Sequence, residues 1–216
     1  MIKYPRTYHF SFSPEIKSDD KTIPFSELGN FLHKEYVILE KMDGQNNCLK
    51  GIDSSTGEYP GVFARTHSQE TKLPWDYLLI AKYHQLKYTL KEDTWYFLEN
   101  LFGEHSIVYE DLDNYFFLFN LYCSKNNEFL PWDEVVAEAS KVGFNTPKEL
   151  FRGKFNTIGE IKRWMDLHID EKSSHGSKLE GFVMRPVDSF KANKFSNVVF
   201  KYVRNGHVQT DEHWTK

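Results

Sequence analysis

The sequence has few cysteines, no long apolar run and no excess of basic residues. Its two cysteines, Cys48 and Cys123, are too few for a disulfide framework or a cysteine-ligated zinc site. No apolar run approaches the roughly 18 residues of a membrane-spanning helix, and the first residues lack the apolar region of a secretory signal peptide. The 27 basic and 31 acidic residues give a net charge of −4, which argues against a protein that simply coats nucleic acid. We therefore expect an intracellular protein that does not engage the membrane.

Aromatic residues, in contrast, are abundant. The 216 residues include 18 Phe, 12 Tyr and 5 Trp, a composition that excludes global disorder. With 40% hydrophobic and 27% charged residues, the chain can bury a core and keep a polar surface. No internal repeat or linker divides it, so residues 1–216 are predicted to form a single domain.

Short strand-like segments alternate irregularly with three helical segments. The strand-like segments are rich in β-branched and aromatic residues and are bounded by turn signals; they cover residues 36–40, 62–65, 95–99, 115–122, 181–185 and 197–203. Apolar residues at helical spacing predict helices within 75–86 and 135–142, and a third after the capping box Thr157–Glu160. Because strict strand–helix–strand alternation is missing, we predict an α+β fold with mostly antiparallel sheets and a few helices.

The sharpest local feature is a lysine that directly follows an apolar strand. Lys41 ends the run Val37-Ile-Leu-Glu-Lys and is followed by Met-Asp43-Gly44. The strand would hold the lysine backbone rigidly, and the Asp-Gly turn would let the chain reverse beneath it, so that the amine lies at the floor of a pocket. The alternative is a hairpin turn with a surface lysine, since Lys-x-Asp-Gly occurs by chance in roughly one chain in twenty of this length.

Further charged residues recur downstream at the ends of apolar strand-like runs or within them. In chain order the segments are Phe63-Ala-Arg65, Phe97-Leu-Glu99-Asn, Phe117-Leu-Phe119-Asn120, Glu180-Gly-Phe-Val-Met-Arg185 and Phe200-Lys201-Tyr-Val-Arg204. Strand alternation cannot place all of these side chains in the core. Several carboxylates and cations are therefore expected to converge on one cleft.

This ordered set of motifs resembles the covalent nucleotidyltransferases, which comprise RNA ligases, DNA ligases and mRNA capping enzymes. The resemblance extends from about Tyr36 to His207, and the N-terminal Tyr4-Pro-Arg-Thr-Tyr-His resembles small single-domain RNA ligases of bacteria and their phages. It implies a nucleotidyltransferase (ATP-grasp-like) domain in which antiparallel sheets flank an ATP cleft. It also implies a cytoplasmic location, in a bacterial cell or a phage-infected host.

The resemblance further implies ATP-dependent ligation of RNA through a covalent lysyl-AMP. The amine of Lys41 would attack the α-phosphorus of ATP, AMP would pass to an RNA 5′-phosphate, and an RNA 3′-hydroxyl would displace it. Lys41 must be neutral to attack, and its unperturbed pKa is about 10.4. A neighbouring cation such as Lys201, a metal ion or desolvation is therefore expected to lower that pKa. The expected partner is RNA with 5′-phosphate and 3′-hydroxyl ends. A second protein that supplies RNA binding or end processing is an additional candidate partner.

The resemblance assigns roles to the other site residues. The catalytic set is Lys41, Glu99, Glu180 and Lys201. Glu99 would contact the ribose, Glu180 and Asp43 would hold Mg²⁺ or Mn²⁺, and Glu40 would accept a hydrogen bond from the adenine amine. The implied nucleotide-binding set is Glu40, Asp43, Gly44, Asn46, Arg65, Phe119 and Arg204, where Phe119 stacks on the purine and Arg65 contacts a phosphate. Four histidines lack metal-ligand spacing and are predicted to be surface residues or contacts to phosphate or RNA: His67, His105, His207 and His213.

Other functions remain open at this stage. DNA ligases and mRNA guanylyltransferases carry an OB-fold domain after the motif of Lys201, and we expect none here because few residues follow it. An RNA-end-binding subunit that keeps the nucleotide pocket but relies on a partner for catalysis is the alternative from a different class.

Overall fold

The computed structural model describes residues 3–65, 69–103, 106–176 and 178–206, which form two β-sheets and three α-helices. The strands are β1 (Tyr8–His9), β2 (Tyr36–Glu40), β3 (Gln45–Lys50), β4 (Gly61–Ala64), β5 (Thr94–Asn100), β6 (Phe116–Cys123), β7 (Glu128–Phe129), β8 (Glu149–Gly153), β9 (Gly181–Pro186), β10 (Phe190–Lys191) and β11 (Phe200–Val203). The helices are α1 (Tyr77–Leu86), α2 (Trp132–Val142) and α3 (Ile158–His168). His67, His105, His207 and His213 lie outside the described residues.

The two sheets are built almost entirely from antiparallel pairs. The first sheet has the strand order β1-β11-β9-β2-β8, and the second has the order β10-β7-β6-β5-β3-β4. Among the described strands, only β1 pairs in parallel, with β11. The prediction of an α+β fold with mostly antiparallel sheets and few helices is confirmed.

The local predictions agree with the helices and with most strands. The capping box at α3 is present: the Thr157 hydroxyl accepts a hydrogen bond from the Glu160 amide at 3.1 Å, and the Glu160 carboxylate accepts one from the Asn156 amide at 2.9 Å. The predicted strand 197–203 begins later, at Phe200, because residues Ala192–Asn197 form a 3-10 helix. Strands β1, β3, β7, β8 and β10 were not predicted: β1, β7 and β10 have two residues each, β3 begins with three polar residues, and no residue of β8 is fully buried.

The segment after Lys41 does not form the hairpin reversal that the Asp-Gly pair predicts. It leads from β2 in the first sheet to β3 in the second, so the chain crosses between sheets at this point. Gly44 makes the crossing sterically feasible. A Cβ atom there would lie 2.5 Å from the Leu101 Cδ2 atom and 2.6 Å from the Asn100 carbonyl oxygen.

Each sheet has its own helical cover. Helices α1 and α2 pack Leu79 and Val135 with apolar residues of the second sheet, whereas α3 packs Ile161 and Met165 with apolar residues of the first. A third cluster, rich in aromatic residues, joins side chains of the second sheet to Val183 of β9 and to Phe195. No helix in the described part of the chain has the length and apolar character needed to cross a membrane.

Candidate active site

A cavity of about 440 Å³ is lined by both sheets and by the N-terminal segment. It brings together eight of the predicted site residues: Glu40, Lys41, Asn46, Arg65, Glu99, Phe119, Glu180 and Lys201. They come from β2, β3, β5, β6 and β11 and from the residues that adjoin β2, β4 and β9. The predicted convergence of carboxylates and cations on one cleft therefore exists in the fold. Asp43, Gly44 and Arg204 do not line this cavity.

The amine of Lys41 is paired with a buried carboxylate. Lys41 Nζ donates to Glu180 Oε2 at 2.6 Å, and the Glu180 side chain is only 5% exposed. The Lys41 amide also bonds the Gly181 carbonyl at 3.0 Å, which links the residue after β2 to the start of β9. Gly181 is required there, because a Cβ atom would lie 2.1 Å from the Tyr202 carbonyl oxygen.

The carboxylates around Lys41 determine its charge. Burial alone lowers the pKa of Lys41, but the negative charges of Glu180 and Glu99 and the hydrogen bond to Glu180 outweigh burial and raise this pKa above its usual value. The expectation that the surroundings lower the pKa of Lys41 is therefore wrong for the protein without ligands. A neutral amine requires additional positive charge close to these carboxylates.

Glu99 lies in the same buried environment. Burial raises its pKa from 4.5 to about 7, the nearby charge of Lys41 opposes this rise, and the charge of Glu180 adds to it. Glu99 Oε1 accepts a hydrogen bond from the Gly44 amide at 3.1 Å. The segment after Lys41 and β5 are thereby connected at the side of the cavity.

Lys201 contacts the N-terminal segment. Its Nζ atom lies 3.3 Å from Asp20 Oδ1, and His9 stands opposite Lys201 in the parallel pairing of β1 and β11. Burial lowers the pKa of Lys201, and the positive charge of Lys41 lowers it further, whereas Asp20 opposes the shift. Lys41 and Lys201 are therefore close enough to interact electrostatically.

A β-bulge directs Phe119 into the cavity. In the pairing of β5 with β6, Leu98 stands opposite Leu118 and Phe97 opposite Asn120, so Phe119 has no partner across the strand. Leu118 and Leu121 consequently belong to the same core cluster although they are three residues apart. Phe119 and Asn120 both line the cavity.

A buried arginine supports this aromatic from behind. The Arg185 guanidinium is 1% exposed and donates to Asn120 Oδ1 at 2.6 Å and to the Leu130 carbonyl at 2.6 Å. Asn120 in turn donates to the Tyr4 hydroxyl at 3.0 Å, and the Tyr4 ring packs edge-on against Phe119 at 5.2 Å. Burial lowers the pKa of Arg185 to about 10.

Sequence reasoning assigned no site role to Tyr4 or Arg185. An arginine that ends the apolar run Gly181-Phe-Val-Met-Arg was a usable signal for Arg185. Tyr4 begins the N-terminal segment that resembles small RNA ligases, but its contacts with Phe119 and Asn120 arise only in the tertiary fold.

The carboxylate of Glu40 has other partners than the implied adenine amine. Its two oxygens accept hydrogen bonds from the Ser173 hydroxyl, from the Ser174 hydroxyl at 2.7 Å and from the Ser174 amide at 3.2 Å. Glu40 is 2% exposed. These contacts give it a structural role, which is to hold the Ser173–Ser174 segment against β2.

Asp43 and Arg204 also face other groups. Asp43 Oδ2 accepts from the Ser106 hydroxyl at 2.5 Å and from the Ile107 amide at 3.0 Å, so it fixes the segment after β5. Arg204 Nε donates to the Leu179 carbonyl at 2.9 Å. The implied roles of Asp43 as metal ligand and of Arg204 as nucleotide contact stay predictions; without ligands, both side chains bond other parts of the protein.

Comparisons with known proteins found a family model and solved structures that are similar to this chain. The family model described as RNA ligase matches residues 34–203. No protein of the curated set matches the sequence.

Solved structures of an RNA ligase from Naegleria gruberi have a similar fold. A variant in complex with ATP and Mn matches with a TM-score of 0.66 at 17% identity, over 97% of this chain and 61% of that chain. The structure with PPi gives 0.64 at 16% identity, over 94% and 61%. An apo variant gives 0.62 at 15% identity, over 83% and 52%. The chain thus spans about half to three fifths of these proteins.

Proposed function

Because the chain belongs to the RNA ligase family, we propose that it joins RNA 5′-phosphate and 3′-hydroxyl ends in an ATP-dependent reaction that proceeds through a lysyl-AMP. The observation that carries this proposal is the position of the Lys41 amine in a cavity that also contains Glu99, Glu180 and Lys201. The solved structures of the Naegleria gruberi RNA ligase support it, since they were obtained with ATP and Mn, with AMP and Mn and with PPi.

In the first step Lys41 Nζ attacks the α-phosphorus of ATP. The new N–P bond forms as the bond to the bridging oxygen breaks, and the electron pair leaves with pyrophosphate. The ammonium of Lys41 must first lose a proton to solvent, and the ion pair with Glu180 at 2.6 Å opposes this loss as long as the charge of Glu180 is not offset. Lys201 adds positive charge near the phosphate as negative charge develops there.

The carboxylates that line the cavity suit a divalent ion that binds together with the nucleotide. Mg²⁺ commonly uses one or two carboxylates together with substrate phosphates and water, and Glu180 is the buried cavity carboxylate nearest the nucleophile amine. The described residues contain no cluster of three metal-binding side chains, which agrees with an ion that requires the phosphates as ligands. Bound there, Mg²⁺ or Mn²⁺ would offset the charge of Glu180, and the pKa of Lys41 would then fall.

The remaining roles follow the shape of the cavity. Phe119 offers an aromatic face for the adenine, with Leu39 and Val183 as further apolar lining. Glu99 is assigned to the ribose. Arg65 is exposed at the end of β4, where its guanidinium is accessible to the phosphate of an RNA end.

A labelling experiment tests the proposal. The protein is incubated with α-labelled ATP and Mg²⁺ or Mn²⁺ and then denatured, and an acid-labile, base-stable adduct is sought. Lys41→Ala should abolish the adduct. Lys41→Arg retains a cation for Glu180 and serves as the control for folding, since it should unfold like the wild type and still give no adduct.

Two results would contradict the assignment. An adduct on Lys41→Ala would show that another residue is the nucleophile. Binding of ATP by the wild type without any adduct would favour the alternative of an RNA-end-binding subunit. Joining of 5′-phosphorylated RNA by the wild type completes the test.

A further inference from the structure

The N-terminal segment forms one wall of the cavity although it precedes the part matched by the family model. The match begins at residue 34, whereas Arg6, His9, Lys17 and Asp20 all line the cavity. The parallel pairing of β1 with β11 fixes this wall to the strand that carries Lys201. Main-chain pairing, and not side-chain contacts alone, therefore holds the N-terminal segment at the cavity.

The carboxylate of Asp20 is surrounded by nitrogen donors on this wall. Asp20 Oδ2 accepts from the Lys17 amide at 3.0 Å and lies 3.2 Å from His9 Nε2. Asp20 Oδ1 lies 3.3 Å from Lys201 Nζ and 3.8 Å from Arg6 Nη2. Two cations, an imidazole and a backbone amide thus converge on the carboxylate of Asp20. These four groups are the kinds of donor that bind an anion.

The contacts of Asp20 with the side chains of Lys201 and Arg6 are long enough for another anion to replace Asp20. Charge-assisted hydrogen bonds are typically about 2.7–2.9 Å long, and the pairs of Asp20 with Lys201 and Arg6 are longer, at 3.3 and 3.8 Å. Arg6 forms its short contact with Asp19 at 2.8 Å, between side chains that are 40% and 75% exposed. Such surface pairs contribute roughly 0–1 kcal/mol, so Arg6 can turn to another anion at little cost.

His9 provides a buried donor that no good hydrogen bond uses. The imidazole is 2% exposed, and its Nε2 atom has no hydrogen bond of acceptable geometry despite its distance of 3.2 Å from Asp20. The Ser13 hydroxyl accepts from the Val203 amide and lies 3.1 Å from His9 Nδ1. The hydroxyl proton of Ser13 is therefore donated to His9 Nδ1. The proton of the neutral imidazole then resides on Nε2, which is directed at the cavity.

We propose that Arg6, His9, Lys17 and Lys201 form a subsite for the pyrophosphate group, which Asp20 occupies with its own carboxylate until the nucleotide binds. The inference rests on the proposed function. When Lys41 attacks the α-phosphorus, the leaving pyrophosphate takes the electron pair of the broken P–O bond and gains negative charge. The cations of this wall stabilise the negative charge of the pyrophosphate. The carboxylate of Asp20 must move away, because it would repel the pyrophosphate.

The position of the wall relative to Lys41 favours this ligand. Lys41, Lys201 and His9 line the same cavity, so the two groups of the wall share one space with the amine of Lys41. Tyr4 at the start of the segment packs on Phe119, the proposed adenine platform. A nucleotide with its base on Phe119 and its α-phosphate at Lys41 can therefore direct its remaining phosphates along residues 6–20.

The reverse half-reaction provides a direct test. Isolated enzyme–AMP is mixed with subsaturating pyrophosphate and Mg²⁺, and the rate of ATP formation is measured. AMP transfer to 5′-phosphorylated RNA from the same preparation is the internal reference, because that step involves no pyrophosphate. For Arg6→Gln the ratio of the two rates should fall at least tenfold, and for Asp20→Asn it should rise several-fold because a competing anion is removed. Lys21→Gln is the matched control: Lys21 is exposed, lies in the same segment and does not line the cavity, so its ratio should equal that of the wild type.

The opposite results would overturn the inference. An unchanged ratio in Arg6→Gln, or a selective loss of AMP transfer to RNA, would show that the wall does not bind pyrophosphate and, in the second case, that it binds RNA. If the wild type formed no adduct, the proposed function itself would fail. Calorimetric titration with pyrophosphate and Mg²⁺ would then decide the inference separately: the wild type should bind and Arg6→Gln should bind at least tenfold more weakly, and equal or absent binding would refute the subsite.

Discussion

Replacing Glu99 with glutamine should stabilise the fold, and the gain should depend on pH. The carboxyl group of Glu99 ionises near pH 4.5 in an unstructured chain and near pH 7 in the folded protein, where burial is the main cause of the difference. Between these values the folded state holds a proton that the unfolded state has lost. Stability therefore falls as the pH rises through this interval, and above about pH 7 the full cost of the buried charge is present. Glutamine cannot ionise, so Glu99→Gln removes this cost.

The size of the effect follows from the same difference in pKa. A difference of about 2.5 in pKa corresponds to about 3 kcal/mol, which is the upper limit of the expected gain at pH 8. Near pH 4.5 the gain should approach zero. For a chain of this length, 1 kcal/mol changes the melting temperature by roughly 2–4 °C. Glutamine can still accept the hydrogen bond from the Gly44 amide, so little else should change.

Urea and thermal unfolding of both proteins at several pH values between 4.5 and 8, without added divalent ions, would measure this gain. Glu35→Gln is a suitable control because Glu35 is exposed and its loss should change stability by the same small amount at every pH. A gain for Glu99→Gln that does not grow between pH 5 and pH 8, or a loss of stability at pH 8, would refute the reasoning.

Three further predictions concern the crossing segment, RNA and the metal ion. Gly44→Ala should destabilise the protein by about 2 kcal/mol or more, because the new Cβ would lie 2.6 Å from the Asn100 carbonyl oxygen; Gly29→Ala, with no atom within 4 Å of the new Cβ, should unfold in urea like the wild type, and equal midpoints for both variants would contradict the steric argument. Arg65→Ala should keep the formation of enzyme–AMP but lose at least tenfold in joining of 5′-phosphorylated RNA; equal losses in both assays would instead place Arg65 on ATP. Chelation of divalent ions with EDTA should abolish formation of the lysyl-AMP from ATP, and Glu180→Ala should require more Mg²⁺ or Mn²⁺ to form it. Labelling by ATP in the presence of EDTA would contradict the role of the ion.

Local sequence pattern determined much of the secondary structure and the order of the site motifs. The strand 36–40 was predicted with its bounds, since a continuous apolar run before a turn needs no distant partner to be recognised. The helices also follow from periodicity and, at α3, from the bonds between Thr157 and Glu160. Such features depend on residues within a few positions of one another, which is why one sequence suffices to find them.

The resemblance of the ordered motifs identified the RNA ligase family, which the family match confirms. It also selected the residues that meet in the cavity, from Lys41 and Glu99 to Glu180 and Lys201. It could not give the partners of each side chain. Glu40 and Asp43 flank Lys41 in the sequence, yet their carboxylates accept hydrogen bonds from seryl hydroxyls and backbone amides of distant segments.

Only the tertiary structure decided the charge of Lys41 and the composition of the cavity wall. The pKa of Lys41 rises because Glu180, 139 residues away in sequence, lies at 2.6 Å. The direction of Phe119 depends on a bulge that appears only when β5 and β6 are paired. Residues 4–9 resemble a segment of small RNA ligases, but residues 4–20 reach the cavity only because β1 adds to the edge of the first sheet beside Lys201. Charge, side-chain direction and wall contacts depend on interactions between distant segments, and only the folded chain specifies these.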